Sequence, residues 1–221
     1  MYHRAVLRSI CPPADFGLEL FQADREDRRM RPIPDAPAVA DDLIPVWTSN
    51  GLVPMRKLEV HRRGLLHPAV SVFLVAGEGA AMRTLLQRRA AGKYHSALLW
   101  ANACCTHPRW GEAPLACARR RLAEELGLGE AGLAWRERLT YRAEVGGGLV
   151  EHEEVDVFLA RSAAEPRLAP DPGEVAEVRW IGLAALAAEI AADPAAFAPW
   201  LRIYLDRHAG RIFGPLSPDR P

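Results

Sequence analysis

The segment NACCTHP, residues 102–108, contains two adjacent cysteines followed closely by a histidine. A thiol and an imidazole this close together can bind a metal, form a redox pair, or act as a nucleophile with its base. Free cysteine is also a common packing residue in protein cores. If the segment is extended, Cys105 and His107 lie on one side of the chain and Cys104 on the other. If His107 belongs to a metal site, its side of the chain is the pocket side, which places Cys105 in the pocket and Cys104 in the core.

A second group of reactive side chains lies in LVEHEEVDVF, residues 149–158. The period of two in a strand places Glu151 and Glu153 on the same face. Three of the seven histidines, His61, His67 and His107, could join these carboxylates around one divalent ion. Such a mixed set of nitrogen and oxygen donors suits Mn²⁺, Mg²⁺ or Zn²⁺. A single histidine is more often a surface or packing residue, so the pattern alone leaves both interpretations open.

Lysine is rare in this chain. Lys57 and Lys93 are the only lysines among 28 basic side chains, and the others are arginine. A lysine kept in an arginine-rich chain can serve as a compact point charge on a phosphate group. The alternative is that the two lysines have no special role.

The elements that must position these residues can be read from local patterns. Two apolar runs around the Ser-Asn-Gly turn at 49–51 predict a hairpin. Residues 114–128 have apolar positions at helical spacing, with Pro114 in the first turn and Gly127 at the end, so we expect a helix. The remaining patterns predict strands at 67–77, 82–90, 138–145, 149–160 and 174–183, and helices at 183–193 and 194–208. A largely β chain with one long internal helix and trailing helices indicates an α/β or α+β fold.

Length and composition predict one soluble domain. The 221 residues are 49% apolar and 25% charged with a formal net charge of zero, which gives no sign of a nucleic-acid or membrane partner. The first 38 residues are rich in arginine, proline and acid, so we expect a flexible extension at 1–38, a domain at 39–210 and a tail at 211–221. The lack of a signal peptide pattern and the four unevenly spaced cysteines predict a cytoplasmic protein, which we expect to be monomeric.

The predicted helix also carries a family signature. The stretch GEAPLACARRRLAEELGL, residues 111–128, resembles the box of the Nudix fold, whose Glu-Glu pair corresponds to Glu124 and Glu125. The box normally has Arg-Glu where this chain reads Arg120-Arg121. A hydrolase needs several carboxylates to hold its metals, so this change favours binding a diphosphate over hydrolysing it. A solvated helix face of alternating charge is the alternative for this segment alone.

Seven ordered motifs between about Leu43 and His208 resemble the type I isopentenyl diphosphate isomerases: RKLEVH, HPAVSVF, QRRAAGKY, LLWANACCTHP, RRRLAEELG, YRAEV and VEHEEVDVF. The resemblance implies a Nudix-like mixed β-sheet sandwiched between helices. It implies that isopentenyl and dimethylallyl diphosphate are interconverted by Cys105 and Glu153, with Tyr141 as partner. The implied ligands of the Mn²⁺, Mg²⁺ or Zn²⁺ site are His61, His67, His107, Glu151 and Glu153, while Glu125 helps to hold Mg²⁺ on the substrate diphosphate. The implied substrate-binding residues are Lys57, Arg89, Lys93, Arg121, Trp100 and Trp200.

The chain departs from the family pattern at two places. It has Ala97-Leu98 where Pro-Gly is common, and Pro68 where an arginine is common. Neither change removes a catalytic group, but both can reshape the pocket and leave open a longer prenyl diphosphate as substrate. The rival interpretations are a Nudix diphosphohydrolase and a non-enzymatic metal or redox protein that uses Cys104 and Cys105, although adjacent cysteines form only strained disulfides.

Overall fold

The computed structural model describes residues 42–214. The predicted extension at 1–38 and residues 215–221 of the predicted tail lie outside this range, so the proposed domain boundaries remain predictions. No helix in the described part of the chain is long and apolar enough to cross a membrane.

The described chain begins with the predicted hairpin. Strands β1 (Leu43–Thr48) and β2 (Gly51–Arg56) pair antiparallel around a tight turn, and Gly51 has a φ of 95°, which favours glycine. Helix α1 (Lys57–Arg63) follows β2 immediately. This helix ends at Gly64, which adopts the left-handed conformation typical of a helix C-terminus.

The main sheet has seven strands: β3 (His67–Ala76), β4 (Arg83–Arg89), β5 (Trp100–Asn102), β6 (Cys104–Thr106), β7 (Leu133–Gly146), β8 (Leu149–Ser162) and β9 (Val175–Gly182). The order of the central strands is β5-β4-β3-β8-β7, while β6 pairs with β3 and β9 with β4. Strands β3 and β8 are parallel, and the other pairs are antiparallel. The five predicted strands are confirmed as β3, β4, β7, β8 and β9, whereas β5 and β6 were not among the predicted strands.

The alternation of side chains along β3 divides the core into two layers. Val70, Val72 and Leu74 pack toward helix α2 (Pro114–Leu126), whose buried face includes Leu122 and Leu126. The predicted start of α2 at Pro114 and its end at Gly127, which is left-handed with a φ of 65°, are confirmed. Each fully buried leucine contributes about 1.5–3 kcal/mol to this layer.

The opposite layer contains the C-terminal helices. Phe73 and Val75 of β3 pack there with helices α3 (Leu183–Ala192), α4 (Pro199–Ile203) and α5 (Ala209–Phe213). Between α4 and α5 the chain winds as a wider π-helix over Tyr204–His208. Helices therefore cover both faces of a mixed sheet, and the predicted α+β sandwich is confirmed.

The single helix predicted for 194–208 is wrong. Residues Pro194–Ala196 form one 3₁₀ turn, Phe197 is extended, and α4 begins anew at Pro199. Proline lacks the N–H that a continuous helix needs, so Pro199 fits only the start of a helix. The new start buries Trp200 and Tyr204 completely.

Candidate active site

Three histidines and one glutamate from separate elements converge at one buried point. His61 lies on α1, His67 is the first residue of β3, His107 follows β6, and Glu153 lies on β8. One donor atom from each of the four residues lies within 4.8 Å of the others, and all four side chains are buried. The parallel register of β3 and β8 places His67 directly opposite Glu153. This pairing cannot be seen in either motif alone.

The orientation of these imidazoles suits metal binding. The Nδ1 atoms of His61 and His67 donate hydrogen bonds of 2.7 Å to the backbone carbonyls of Lys57 and Leu65. Both Nε2 atoms are then left buried without a hydrogen-bond partner. An unpaired buried polar atom costs about 1–3 kcal/mol, whereas a histidine that ligates a metal commonly donates its other N–H to such a carbonyl. The residues present therefore fit a divalent cation.

Two carboxylates share the hydroxyl of Tyr141. Its oxygen lies 2.8 Å from Glu151 Oε2 and 2.7 Å from Glu153 Oε2. Burial, and then the charge of Glu153, raise the pKa of Glu151 well above its usual range. Burial also opposes ionisation of Glu153, but the 2.8 Å hydrogen bond from His107 and the imidazole of His67, 3.6 Å away, outweigh it and hold the pKa of Glu153 well below its usual range. As predicted from the strand period, both carboxylates are buried on the same face of β8.

His95 also belongs to this cluster. It is buried, and its Nε2 atom lies 3.6 Å from Glu151 Oε1. With His61 and Glu151 it forms a second group of three donor atoms, whereas Glu151 is not part of the four-residue group around Glu153. Burial, and then the charge of Arg89, lower the pKa of His95 to about 2, so its imidazole is neutral. Sequence reasoning missed His95, although it lies two residues after Lys93.

Cys104 and Cys105 have different surroundings. Cys105 Sγ lies 3.2 Å from both Ser71 Oγ and Asn102 Oδ1. Burial raises the pKa of the Cys105 thiol, so the resting group carries its proton. Cys104 is fully buried in the layer under α2, where its thiol lies 3.4 Å from Glu125 Oε1. Both cysteines are free.

A small cavity of about 40 Å³ connects the acid/base groups with a cluster of basic residues. Its lining includes Cys105, Glu153 and the four predicted diphosphate-binding residues, Lys57, Arg89, Lys93 and Arg121. A larger cavity of about 220 Å³ shares three of these basic residues and adds Arg109 and Arg120. Burial, followed by the neighbouring arginines, lowers the pKa of Lys57, and burial lowers the pKa of Lys93 to about 8.

The remaining predicted site residues are divided between the cavity and its surroundings. Trp200 lines the small cavity, and the guanidinium carbon of Arg89 lies 5.2 Å from its ring centre. Trp100 does not line either cavity, and Arg179 lies over its ring at 4.3 Å. Glu125 also lies outside both linings. Its carboxylate accepts hydrogen bonds from Gln87 at 3.0 Å and from Arg121 at 2.7 and 3.0 Å.

The chain is similar to known proteins over most of the described fold. Residues 65–201 match the NUDIX domain. The chain is 54% identical to an isopentenyl-diphosphate Delta-isomerase of Cereibacter sphaeroides, over 79% of this chain and 97% of the relative. It is 53% identical to the enzyme of that name from Dinoroseobacter shibae, over 80% of this chain and 98% of the relative. This chain belongs to the isopentenyl-diphosphate Delta-isomerase family.

Solved structures support the fold. A Nudix hydrolase of M. smegmatis aligns with a TM-score of 0.51 and 23% identity, covering 80% of this chain and 98% of that chain. A protein of Deinococcus radiodurans aligns with a TM-score of 0.58 and 15% identity, covering 75% and 98%. At these identities the likeness concerns the fold alone. Membership of the isomerase family therefore rests on the sequence relatives. The Nudix fold is supported by the match to the NUDIX domain and by the solved structures.

Proposed function

We propose that this protein interconverts isopentenyl diphosphate and dimethylallyl diphosphate. The observation that carries the proposal is one cavity that contains the Cys105 thiol, the Glu153 carboxylate and four basic side chains. Moving a double bond by one position requires adding a proton at one carbon and removing one from a neighbouring carbon. Two acid/base groups in a secluded pocket provide for this. The family relatives carry the name of this activity.

The catalytic roles follow from the surroundings of each group. Cys105 acts as one acid/base group because its thiol borders the cavity and holds its proton at rest. Glu153 acts as the other, with the hydroxyl of Tyr141 placed 2.7 Å from its carboxylate. Trp200 provides an aromatic wall that favours the positive charge developing on the substrate. Trp100 lies outside the cavity and packs against the core layer that contains Trp200.

The diphosphate is the handle by which the substrate is held. Lys57, Arg89, Lys93 and Arg121 bind its oxygens through charge-assisted hydrogen bonds and hold the substrate in the cavity. Mg²⁺ commonly binds through one or two carboxylates together with substrate phosphates. We propose that Glu125, which accepts a hydrogen bond from Arg121, is the carboxylate that helps to hold this Mg²⁺. Because Arg121 and Gln87 occupy this carboxylate at rest, this ion arrives with the substrate.

We propose that His61, His67, His107, Glu151 and Glu153 hold a separate divalent cation, which is Mn²⁺, Mg²⁺ or Zn²⁺. The unpaired Nε2 atoms of His61 and His67 are the structural support for it. When bound, such an ion supplies positive charge that lets both neighbouring carboxylates remain ionised. We further propose a cytoplasmic, monomeric enzyme whose partner is a small prenyl diphosphate.

One assay separates this function from diphosphate hydrolysis. The purified protein is incubated with Mg²⁺ and isopentenyl diphosphate in deuterated water, and the product and free phosphate are measured. We expect dimethylallyl diphosphate that carries solvent deuterium, because the acid/base groups exchange protons with water. Release of phosphate or diphosphate without the rearranged product would reject the isomerase function.

A further inference from the structure

Ser71 and Cys105 are direct cross-strand neighbours. They are paired in the register of β3 and β6, and the pleat places both side chains on the face that carries His67. Ser71 is fully buried, and its Oγ lies 3.2 Å from Cys105 Sγ. The function proposed above leaves this serine without a role.

Asn102 fixes the direction of the hydrogen bonds around this pair. Its Nδ2 lies 2.8 Å from the carbonyl oxygen of Val72 and 3.1 Å from that of Cys104. Carbonyl oxygens only accept, so the amide nitrogen faces them and Oδ1 faces the Cys105 thiol at 3.2 Å. The same nitrogen lies 2.9 Å from Ser71 Oγ, so its two protons are shared among three acceptors.

The polarity of the Ser71 hydroxyl follows. The thiol of Cys105 has one proton and donates it to Asn102 Oδ1, so in the contact with Ser71 the hydroxyl is the donor. The sulfur of Cys105 is the acceptor at 3.2 Å. In the resting site the thiol thus donates to Asn102 and accepts from Ser71. The two polar side chains hold the sulfur in one orientation above the cavity.

We infer that Ser71 and Asn102 are positioning residues for Cys105, an inference that rests on the proposed isomerase function. When the S–H bond breaks and its proton forms a C–H bond on the substrate, the electron pair stays on sulfur. The Ser71 O–H then donates to this thiolate. Glu153 removes a proton from the substrate and undergoes the opposite change, and proton exchange with water restores both groups. In the reverse direction the same two bonds form and break in the opposite order.

The test compares Ser71→Ala with Ser71→Thr and with Thr84→Val. Thr84 is also a fully buried hydroxyl residue, but it donates to the carbonyl of Leu74, away from the cavity. We expect Ser71→Ala to lower kcat about 10- to 100-fold, as for loss of a hydrogen bond to a charged group, with a small change in KM. Ser71→Thr keeps the hydroxyl and is expected to recover most of kcat. Thr84→Val should lower thermal stability without this loss of kcat.

A spectroscopic measurement tests the contact independently of turnover. The infrared S–H stretching band of Cys105, obtained as the difference from Cys105→Ala, should shift in Ser71→Ala and return toward the parent position in Ser71→Thr. If Ser71→Thr does not fold, the band in Ser71→Ala alone shows whether Ser71 donates to the Cys105 sulfur. An unchanged band, or a kcat like that of the active parent, would overturn the role of Ser71 and leave the isomerase function standing. An inactive parent would instead reject the proposed function, and the band would still report on the contact.

Discussion

Cys104 and Cys105 are neighbours in the chain but point to opposite layers of the fold. Cys104 packs beneath α2 near Glu125, whereas Cys105 borders the cavity beside Ser71. The alternation of side chains along β6 separates an acid/base thiol from a packing thiol. The two residues therefore serve as matched controls for each other.

Cys105→Ala is expected to abolish turnover while fold and metal content are retained, because the cavity loses one acid/base group. Cys104→Ala should keep most activity and lose roughly 1 kcal/mol of stability, as for removal of a small buried group. Activity assays and urea unfolding of both variants test this. An inactive Cys104→Ala together with an active Cys105→Ala would show that the assignment is reversed.

The histidine cluster and Glu125 should differ in metal dependence. We expect His61→Ala and His107→Ala to lower the metal content of the resting protein, because each removes a donor from the buried cluster. Glu125→Gln should retain this metal and impair turnover, since Glu125 lies outside the cluster. Elemental analysis after dialysis provides the measurement. Equal metal loss in all three variants would contradict two separate cation sites.

The two lysines should act on the diphosphate. Lys57→Ala and Lys93→Ala are expected to raise KM and to make inorganic diphosphate a weaker inhibitor, because both side chains line the basic part of the cavity. Inhibition constants measured beside the parent test this expectation. If diphosphate inhibits all three proteins alike, neither lysine contacts the substrate diphosphate.

Diphosphate binding should also depend on the protonation of Lys93. Burial lowers the pKa of this lysine to about 8, so in the free enzyme its charge is present below pH 8 and is lost as the pH rises above it. A bound anion favours the charged form, and the affinity for inorganic diphosphate should fall between pH 8 and 10. Lys93→Arg keeps its positive charge in this range and serves as the control. Inorganic diphosphate titrates in the same way with both proteins, so the difference between their pH profiles reports on Lys93. Parallel pH profiles for the parent and Lys93→Arg would refute the prediction.

Leu98 is strained in the loop that precedes β5. Its φ is 62°, which costs roughly 1–2 kcal/mol for an L-residue. Two hydrogen bonds hold the loop: the Leu98 N–H donates to the Arg89 carbonyl, and Arg88 Nε donates to the Leu98 carbonyl. Leu98→Gly removes this strain but gives the unfolded chain more freedom, so we expect a net stabilisation of up to about 1 kcal/mol. Ala97 lacks a positive φ, and Ala97→Gly should only destabilise. Urea unfolding of the pair checks the sign, and a destabilised Leu98→Gly would argue against strain.

Local patterns determined several parts of this protein. The period of two placed Glu151 and Glu153 together and separated Cys105 from Cys104, and helical spacing with Pro114 and Gly127 delimited α2. These features depend only on the geometry of one strand or one helix, which a short sequence window contains. The seven motifs added the family and its expected site residues, whose roles remain predictions.

Only the tertiary structure decided which side chains meet. The parallel pairing of β3 with β8 sets His67 against Glu153, and the pairing of β3 with β6 sets Ser71 against Cys105. The folded chain also brings His95 within 3.6 Å of Glu151. These contacts join residues that are 34 to 86 positions apart, so no local periodicity predicts them. Strand register and the burial of both layers fix them together, which is why the site is complete only in the folded chain.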